Sequence, residues 1–368
     1  MSDFAPIDNS NNETNIQKKP KQTVESKPVI TRLEDVEIER VTWLWENRIP
    51  VGKLTLISGD PCLGKSTFTM DIAARVSSGA PWADSPTEAR EVGGVVILSA
   101  EDGLADTIKP RLQAAGAIME HIISLDSVRR SCDEEVHEEA FSLTTDIPRL
   151  REAIQMVNDC RLVIIDPVSA YLSNTDSHKD AQIRGLLAPL AALAENTGVA
   201  IILVAHLNKS NGRKAIYRTG GSIAFIAAAR AAFSVVKDTK EPERRLFLPT
   251  KANLAPSGIG GLAYTIEGVT LQSEEGDVSA PVVRIEPDAV DGCADDYMVE
   301  PSGDTDDQDD AAEWLIEALA SGALGSTEVF RLGKLQGFSM NIIRRAFKRL
   351  GGKPKKEAFD GGWKWGLP

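Results

Sequence analysis

The sequence predicts an α/β protein: a mostly parallel, helix-covered sheet with antiparallel strands at one edge, followed by a small winged-helix-like module. Three observations lead there. Near-continuous apolar runs at Leu54–Ile57, Val95–Leu98, Leu162–Ile165 and Ala200–Val204 alternate with helical patterns, as strands covered on both faces require. A glycine-rich segment, Gly59–Thr67, lies between the first of those strands and the first helix. Three short helical patterns and a hairpin signal close the chain.

The elements follow in order. Residues 1–35 are rich in Asn, Lys, Ser, Thr and Pro and nearly free of aromatics, so they bury too little apolar surface to offset ordering and are expected as a disordered tail. The core is expected over 36–287. Its helices are predicted at Ser66–Val76, Ala105–Ala114, Leu150–Val157 and Ala181–Glu195, with a small-residue helix at Gly221–Ala232. Arg245–Pro249, Leu262–Ile266 and Val282–Ile285 have no long helices between them and are placed as antiparallel edge strands. Glu286–Asp310 holds eleven acidic residues and no Lys or Arg, and self-repulsion makes 288–310 a flexible linker. Residues 311–368 form the last module, with helices at Ala311–Leu319, Ser326–Leu332 and Ser339–Leu350. The third is capped by Ser339 and stopped by Gly351–Gly352, and a hairpin turns at Asp360–Gly361.

Composition narrows the function classes. With 42% hydrophobic and 26% charged residues over 368 positions, the chain is neither fibrous nor wholly disordered. Cys62, Cys132, Cys160 and Cys293 have no spacing that suits zinc and cannot form a disulfide framework in so large a chain. A polar N-terminus without a signal peptide and the absence of any run long enough to span a membrane point to a cytoplasmic protein. A net charge of −13 argues against a nucleic-acid partner when taken as an average. Resolved along the chain it reads differently. From Arg331 onward ten Lys and Arg face two acids, a net +8.

Gly59-Asp60-Pro61-Cys62-Leu63-Gly64-Lys65-Ser66-Thr67 fits G-x-x-x-x-G-K-[ST] with a strand before it and a helix after it. The glycines let backbone N–H groups turn toward phosphate oxygens, and the helix dipole adds to the attraction. Lys65 then reaches the β- and γ-phosphates, and Ser66 offers its hydroxyl to Mg²⁺. Asp166 ends the apolar run Leu162–Ile165, where a carboxylate can hold a metal-bound water at the C-terminal edge of a sheet. Glu101 and Asp102 end the strand before it. Glu101 is the candidate base for the attacking water, and Asp102 fits a helix-capping role. His206 ends the fourth strand at the same edge, either as a satisfied structural residue or as a sensor of the γ-phosphate.

Lys209, Arg213, Lys214 and Arg218 follow in a Gly/Ser-containing loop, either solvated or gripping a phosphate backbone. Arg230, among alanines, either snorkels to solvent or reaches a neighbouring subunit's nucleotide. Arg344, Arg345, Lys348 and Arg349 give the third C-terminal helix the character of a recognition helix, with Trp363 and Trp365 assigned to closing the module's own core.

With these motifs in place, the segment from Trp45 to about Glu286 resembles the RepA-like, RecA-superfamily AAA ATPases of plasmids, phages and integrated elements. The matching strings are Leu54-Thr-Leu-Ile-Ser-Gly-Asp-Pro, Ser99-Ala-Glu-Asp, Ile165-Asp-Pro, Ala205-His-Leu-Asn-Lys, Gly220-Gly-Ser and Thr250-Lys251-Ala-Asn253-Leu. The resemblance implies a RecA-like core and a hexameric ring, with ATP between adjacent subunits and single-stranded DNA in the central channel. It implies Lys65 and Ser66 on ATP–Mg²⁺, Asp166 as the metal-side acid, Glu101 as catalytic base and His206 as the coupling sensor. Lys251 matches a trans-acting Lys, while Asn253 stands where an Arg is usual, which leaves Arg230 or Arg218 as the alternative finger. Cys62 stands where such loops often have Gly and reads as a tolerated small residue.

Three functions remain in competition. One is an ATP-driven hexameric helicase in replication of a mobile element. Another is an ATP-gated initiator or regulator that binds duplex DNA through the C-terminal module. The third is an ATPase that loads or remodels a protein partner. The first is expected.

Overall fold

The computed structural model describes residues 30–88, 90–132, 135–172, 180–206, 223–238, 241–256, 259–274, 276–290, 294, 305–320, 322–336, 338, 340–352, 355–356 and 363–367. The chain divides into two units, Met1–Arg40 and Val41–Pro368. In the first, the described residues hold one 3₁₀ turn, Leu33–Asp35, with Ile30, Leu33, Val36 and Ile38 exposed.

The second unit runs β1 (Trp43–Trp45), β2 (Ile49–Pro50), β3 (Leu54–Gly59), α1 (Lys65–Ser78) and β4 (Gly94–Ser99). A π-turn (Leu104–Ile108) leads into α2 (Lys109–Ala114), then β5 (Ile122–Ser124) and a hairpin of β6 (Ser127–Cys132) and β7 (Glu135–Ala140). Next come α3 (Ile147–Met156), β8 (Cys160–Asp166), α4 (Asp180–Thr197), β9 (Ala200–His206) and α5 (Ile223–Ala228). Four strands follow: β10 (Ala231–Lys237), β11 (Arg245–Ala252), β12 (Gly261–Ser273) and β13 (Gly276–Val290).

Nine strands form one sheet in the order β13-β12-β11-β10-β3-β9-β8-β4-β5. From β10 to β5 every pairing is parallel, and from β10 to β13 every pairing is antiparallel. The expected mostly parallel sheet with an antiparallel edge is therefore present. Alternate residues of each central strand serve the two faces, because strand side chains point to opposite sides. Leu54, Leu56, Val163, Ile165, Ile201 and Leu203 pack with α3, α4 and α5. Ile57, Leu162, Ile164, Ile202 and Val204 pack with α1 and α2. At roughly 1.5–3 kcal/mol for each large apolar side chain buried, these two layers dominate the stability of the unit.

On the second face Trp45 stacks on Trp82 at 4.5 Å. Asp84 accepts from Trp45 Nε1 and from buried Arg48 Nε, both at 2.9 Å. Arg48 also donates to the Gly260 carbonyl at 3.0 Å, which ties the β1–β2 turn to the antiparallel edge.

Three sequence expectations are corrected. The small-residue helix expected over 221–232 is helical only at Ile223–Ala228 among its described residues, and Ala231–Lys237 is a strand beside β3. Alanine-rich composition favours helix locally, but Phe233, Val235 and Val236 fill a buried sheet position, and tertiary packing overrides propensity. The acidic stretch is structured at both ends. Glu286–Val290 belongs to β13, where Glu286 pairs with Arg244 at 2.7 Å. Residues 305–310 open a helix whose N-terminal dipole favours aspartates. Finally, Ala105–Ala114 begins as a π-turn rather than as regular helix.

The C-terminal residues hold α6 (Thr305–Leu319), β14 (Leu324–Gly325), α7 (Ser326–Leu335), α8 (Met340–Arg349), β15 (Lys355–Lys356) and β16 (Trp363–Trp365). A three-stranded sheet, β14-β16-β15, adds a strand that the local pattern does not announce. Trp365 is buried and stacks on Phe347 at 4.1 Å, closing a separate small core with Leu315, Val329 and Ile343. Gly351, at φ +74°, ends α8 with its N–H on the Lys348 carbonyl. The Ser339 cap lies outside the described residues.

Candidate nucleotide site

β3 delivers Gly59 to the C-terminal edge of the sheet, and the loop to Lys65 turns back to open α1. Gly59 is required by space, since a Cβ there would meet the Val235 carbonyl oxygen at 2.6 Å. Cys62 and Gly64 both adopt positive φ, +63° and +78°. The backbone at position 62 therefore favours Gly, and Cys62 holds a left-handed conformation that costs an L-residue about 1–2 kcal/mol.

The Lys65 side chain is buried. Its Nζ donates to the Gly59 carbonyl at 3.0 Å, to the Asp60 carbonyl at 2.8 Å and to His206 Nδ1 at 3.3 Å. Burial lowers the Lys65 pKa, opposed by Asp166 and then by Asp60. Because Nδ1 accepts, the neutral His206 ring carries its proton on Nε2, which faces Glu101 Oε2 at 4.0 Å. Burial, with the Lys65 charge second, lowers the His206 pKa.

Strand register explains this convergence. Gly59 is level with His206 across β3 and β9, and Ser99 is level with Asp166 across β4 and β8. Asp166 is buried and accepts a hydrogen bond from Ser66. Burial raises its pKa to about 6, against the pull of the Ser66 hydrogen bond and Lys65. Glu101 remains largely exposed at the next strand end, while Asp102 is taken by Arg111 at 2.6 Å. The structure thus brings together Lys65, Ser66, Glu101, Asp166 and His206. A hydroxyl and one carboxylate, Ser66 and Asp166, are a donor set that would suit Mg²⁺.

Two candidates lie elsewhere. Lys251 pairs with Ala232, which is level with Leu56, and the Arg230 N–H donates to the Leu54 carbonyl at 2.9 Å. Arg230 therefore sits at the opposite end of β3 from the glycine loop, roughly 17 Å away at 3.3 Å per residue, while Lys251 is level with the middle of β3, roughly 10 Å along the strand from Gly59. Lys251 Nζ donates to the carbonyls of Ile226, Ala227 and Ala229 at 2.7, 3.1 and 2.8 Å, capping α5. Arg230 is exposed on the bend between α5 and β10, not inside a helix. Lys209, Arg213, Lys214 and Arg218 lie outside the described residues. On α8, Arg344, Arg345, Lys348 and Arg349 are all exposed, opposite buried Ile343, Ala346 and Phe347.

Sequence reasoning missed Tyr264. Its buried hydroxyl donates to the Leu63 carbonyl inside the glycine loop at 3.0 Å. Nothing in an edge-strand pattern marks such a residue, because the contact spans 201 positions.

A family model described as "AAA domain" matches residues 20–212, just over half of the chain. The chain belongs to the AAA-domain family. Among curated proteins, this AAA-domain protein is similar to DNA repair protein RadA of Halalkalibacterium halodurans, 29% identical over 178 residues, covering 48% of the chain and 32% of the relative. It is also similar to RadA of Mycobacterium tuberculosis (31% over 161 residues, 43% and 28%) and of Bacillus subtilis (28% over 199 residues, 51% and 36%). The AAA-domain protein spans about a third of the length of these relatives. Among solved structures, one described as an ATPase domain matches at 16% identity and a TM-score of 0.42, covering 60% of this chain and 82% of the other. Nucleotide hydrolysis is the chemistry of this P-loop family, and no helix among the described residues is long and apolar enough to cross a membrane.

Proposed function

We propose that this AAA-domain protein is an ATP-hydrolysing replicative DNA helicase that works on single-stranded DNA as a hexameric ring in mobile-element replication. The observation that carries the reading is the single constellation at the sheet's C-terminal edge, where Lys65, His206 and Glu101 form a chain of contacts beside Ser66 and Asp166. The basic segment with Lys209, Arg213, Lys214 and Arg218 follows His206 directly in the sequence. The curated relatives are named for DNA repair, which supports DNA as the partner.

In this mechanism the loop N–H groups of Gly59–Thr67 bind the phosphates, and Lys65 exchanges its two carbonyl partners for the β- and γ-phosphate oxygens. Ser66 and Asp166 would hold Mg²⁺, which would neutralise the phosphate charge. Glu101, exposed at its strand end, takes a proton from the attacking water as its oxygen bonds to the γ-phosphorus. The bond to the ADP oxygen breaks, giving ADP and phosphate. His206 touches both Lys65 and the region of Glu101, so it senses the γ-phosphate and passes its presence to the basic loop. Arg230, at the far end of β3, and Lys251, level with its middle, face the neighbour's nucleotide in a ring. Arg230 is assigned as the finger, because Lys251 is already engaged by three carbonyls. ATP-dependent strand displacement on a forked duplex tests the reading, and a ring-forming protein with neither unwinding nor DNA-stimulated hydrolysis sinks it.

A second reading, a duplex-binding initiator or regulator, is favoured by one observation: the four exposed cations on α8 above the buried face. As a winged-helix-like domain, this module lays α8 in a groove of DNA. Replacing Arg344, Arg345 and Lys348 with Ala is expected to lower the slope of log affinity against log salt by about 0.9 for each phosphate that is no longer neutralised. An unchanged slope assigns the module to a protein partner instead.

A further inference from the structure

The phosphate-binding loop is held from outside by the antiparallel edge of the sheet. β12 reaches it twice. The Tyr264 hydroxyl donates to the Leu63 carbonyl at 3.0 Å, and both side chains are buried. Two residues on, Ile266 lies under Gly64, where an added Cβ would meet Ile266 Cδ1 at 2.2 Å.

The first contact decides which way a peptide plane faces. The Leu63–Gly64 peptide is trans, so its C=O and N–H point in opposite directions. Drawing the Leu63 carbonyl outward onto Tyr264 turns the Gly64 N–H inward, toward the side from which the loop binds phosphate. Were that plane to flip, a carbonyl oxygen would replace an N–H facing an anion. Gly64, at φ +78° and ψ +27°, has the freedom for such a flip, since a glycine samples either sign of φ with little preference. A glycine loop needs that freedom to form and an outside constraint to stay in one state.

Tyr264 is itself fixed. Its ring packs on Phe68 of α1 at 4.9 Å, and its backbone is paired on both sides, with Arg245 of β11 and Ile285 of β13. Burial holds its hydroxyl protonated far above the ordinary tyrosine range, so the donor persists at every working pH.

We infer that Tyr264 is a positioning residue for nucleotide binding, which orients the Gly64 N–H by holding the Leu63 carbonyl, with Ile266 closing the space behind the glycine. The inference rests on the nucleotide reading above and adds to it a residue from the antiparallel edge, outside the loop motif.

The experiment measures affinity for Mg²⁺ and a non-hydrolysable ATP analogue, together with amide exchange across the loop, in the full chain. Tyr264→Phe keeps the ring and removes only the hydroxyl. It is expected to weaken nucleotide binding about two- to tenfold, the effect of removing one buried hydrogen bond, and to speed exchange at Gly64 while the rest of α1 is unchanged. Ile266→Ala is expected to act in the same direction. Phe247→Leu is the control for stability alone. Phe247 lies in the same aromatic cluster, stacked on Phe233 at 4.3 Å, so this variant lowers Tm and leaves affinity unchanged. Wild-type affinity in Tyr264→Phe, or an equal weakening in Phe247→Leu, overturns the inference. If the wild-type chain binds no nucleotide, the proposed function fails, and Gly64 exchange in Tyr264→Phe still decides the pin.

Discussion

Lys65 Nζ lies 3.3 Å from His206 Nδ1, which links the first residue of α1 to the last residue of β9 across adjacent strands. The lysine proposed to address phosphate and the residue that precedes the basic segment in sequence are therefore in direct contact.

Lys65→Ala is expected to abolish hydrolysis and to weaken nucleotide binding, since it removes the cation that meets the phosphates. Glu101→Gln is expected to abolish hydrolysis and leave binding nearly intact, because Glu101 acts on water. Parallel titrations with a nucleotide analogue and phosphate-release assays separate the two, and turnover retained in Glu101→Gln rejects Glu101 as the base.

The His206 contact carries a pH dependence. Its folded pKa lies below the ordinary 6.5 through burial and the nearby Lys65 charge. The unfolded chain therefore binds the proton more readily, and the contribution of His206 to stability is complete above about pH 6.5 and declines as the pH falls below it. Urea unfolding at several pH values is expected to show this decline in the wild type and a weaker one in His206→Gln.

Cys62 holds φ +63° in an exposed turn of the glycine loop. Cys62→Gly relieves that conformation but loosens the unfolded chain, so a net gain of up to about 1 kcal/mol is expected. Cys62→Val places a β-branched side chain there and is expected to cost about 1 kcal/mol or more. Chemical denaturation measures both.

Lys251 and Arg230 sit close together but do different things. Lys251→Met removes three hydrogen bonds to the end of α5 and is expected to lower stability by about 1–2 kcal/mol. Arg230→Ala, at an exposed bend, is expected to change stability by less than about 0.5 kcal/mol while abolishing DNA-stimulated hydrolysis in the assembled ring. Hydrolysis unaffected by Arg230→Ala removes it as the finger.

Much of the core was legible because its signals are local. The four apolar runs lie within β3, β4, β8 and β9, and the glycine motif lies between a strand and a helix as its chemistry requires. β10 was not legible, because Ala227–Ala232 reads as helix until Phe233 is seen against Ile57 of β3. Nor was the structure at the ends of the acidic stretch. Its charge predicts repulsion, while Arg244 and a helix N-terminus each receive some of that charge.

The amino-acid sequence by itself determined the class of the fold, the identity of the loop residues and the strand ends on which Glu101, Asp166 and His206 lie. These follow from periodicity and motif spacing, which act over a few residues. Only the tertiary structure decided which of them meet, because register across β3, β9, β8 and β4 sets that. Strand pairing likewise placed Lys251 and Arg230 away from the glycine loop and carried Tyr264, 201 positions along the chain, to the carbonyl of Leu63. Contacts of that span depend on how strands are ordered in a sheet, and strand order is written in no local pattern.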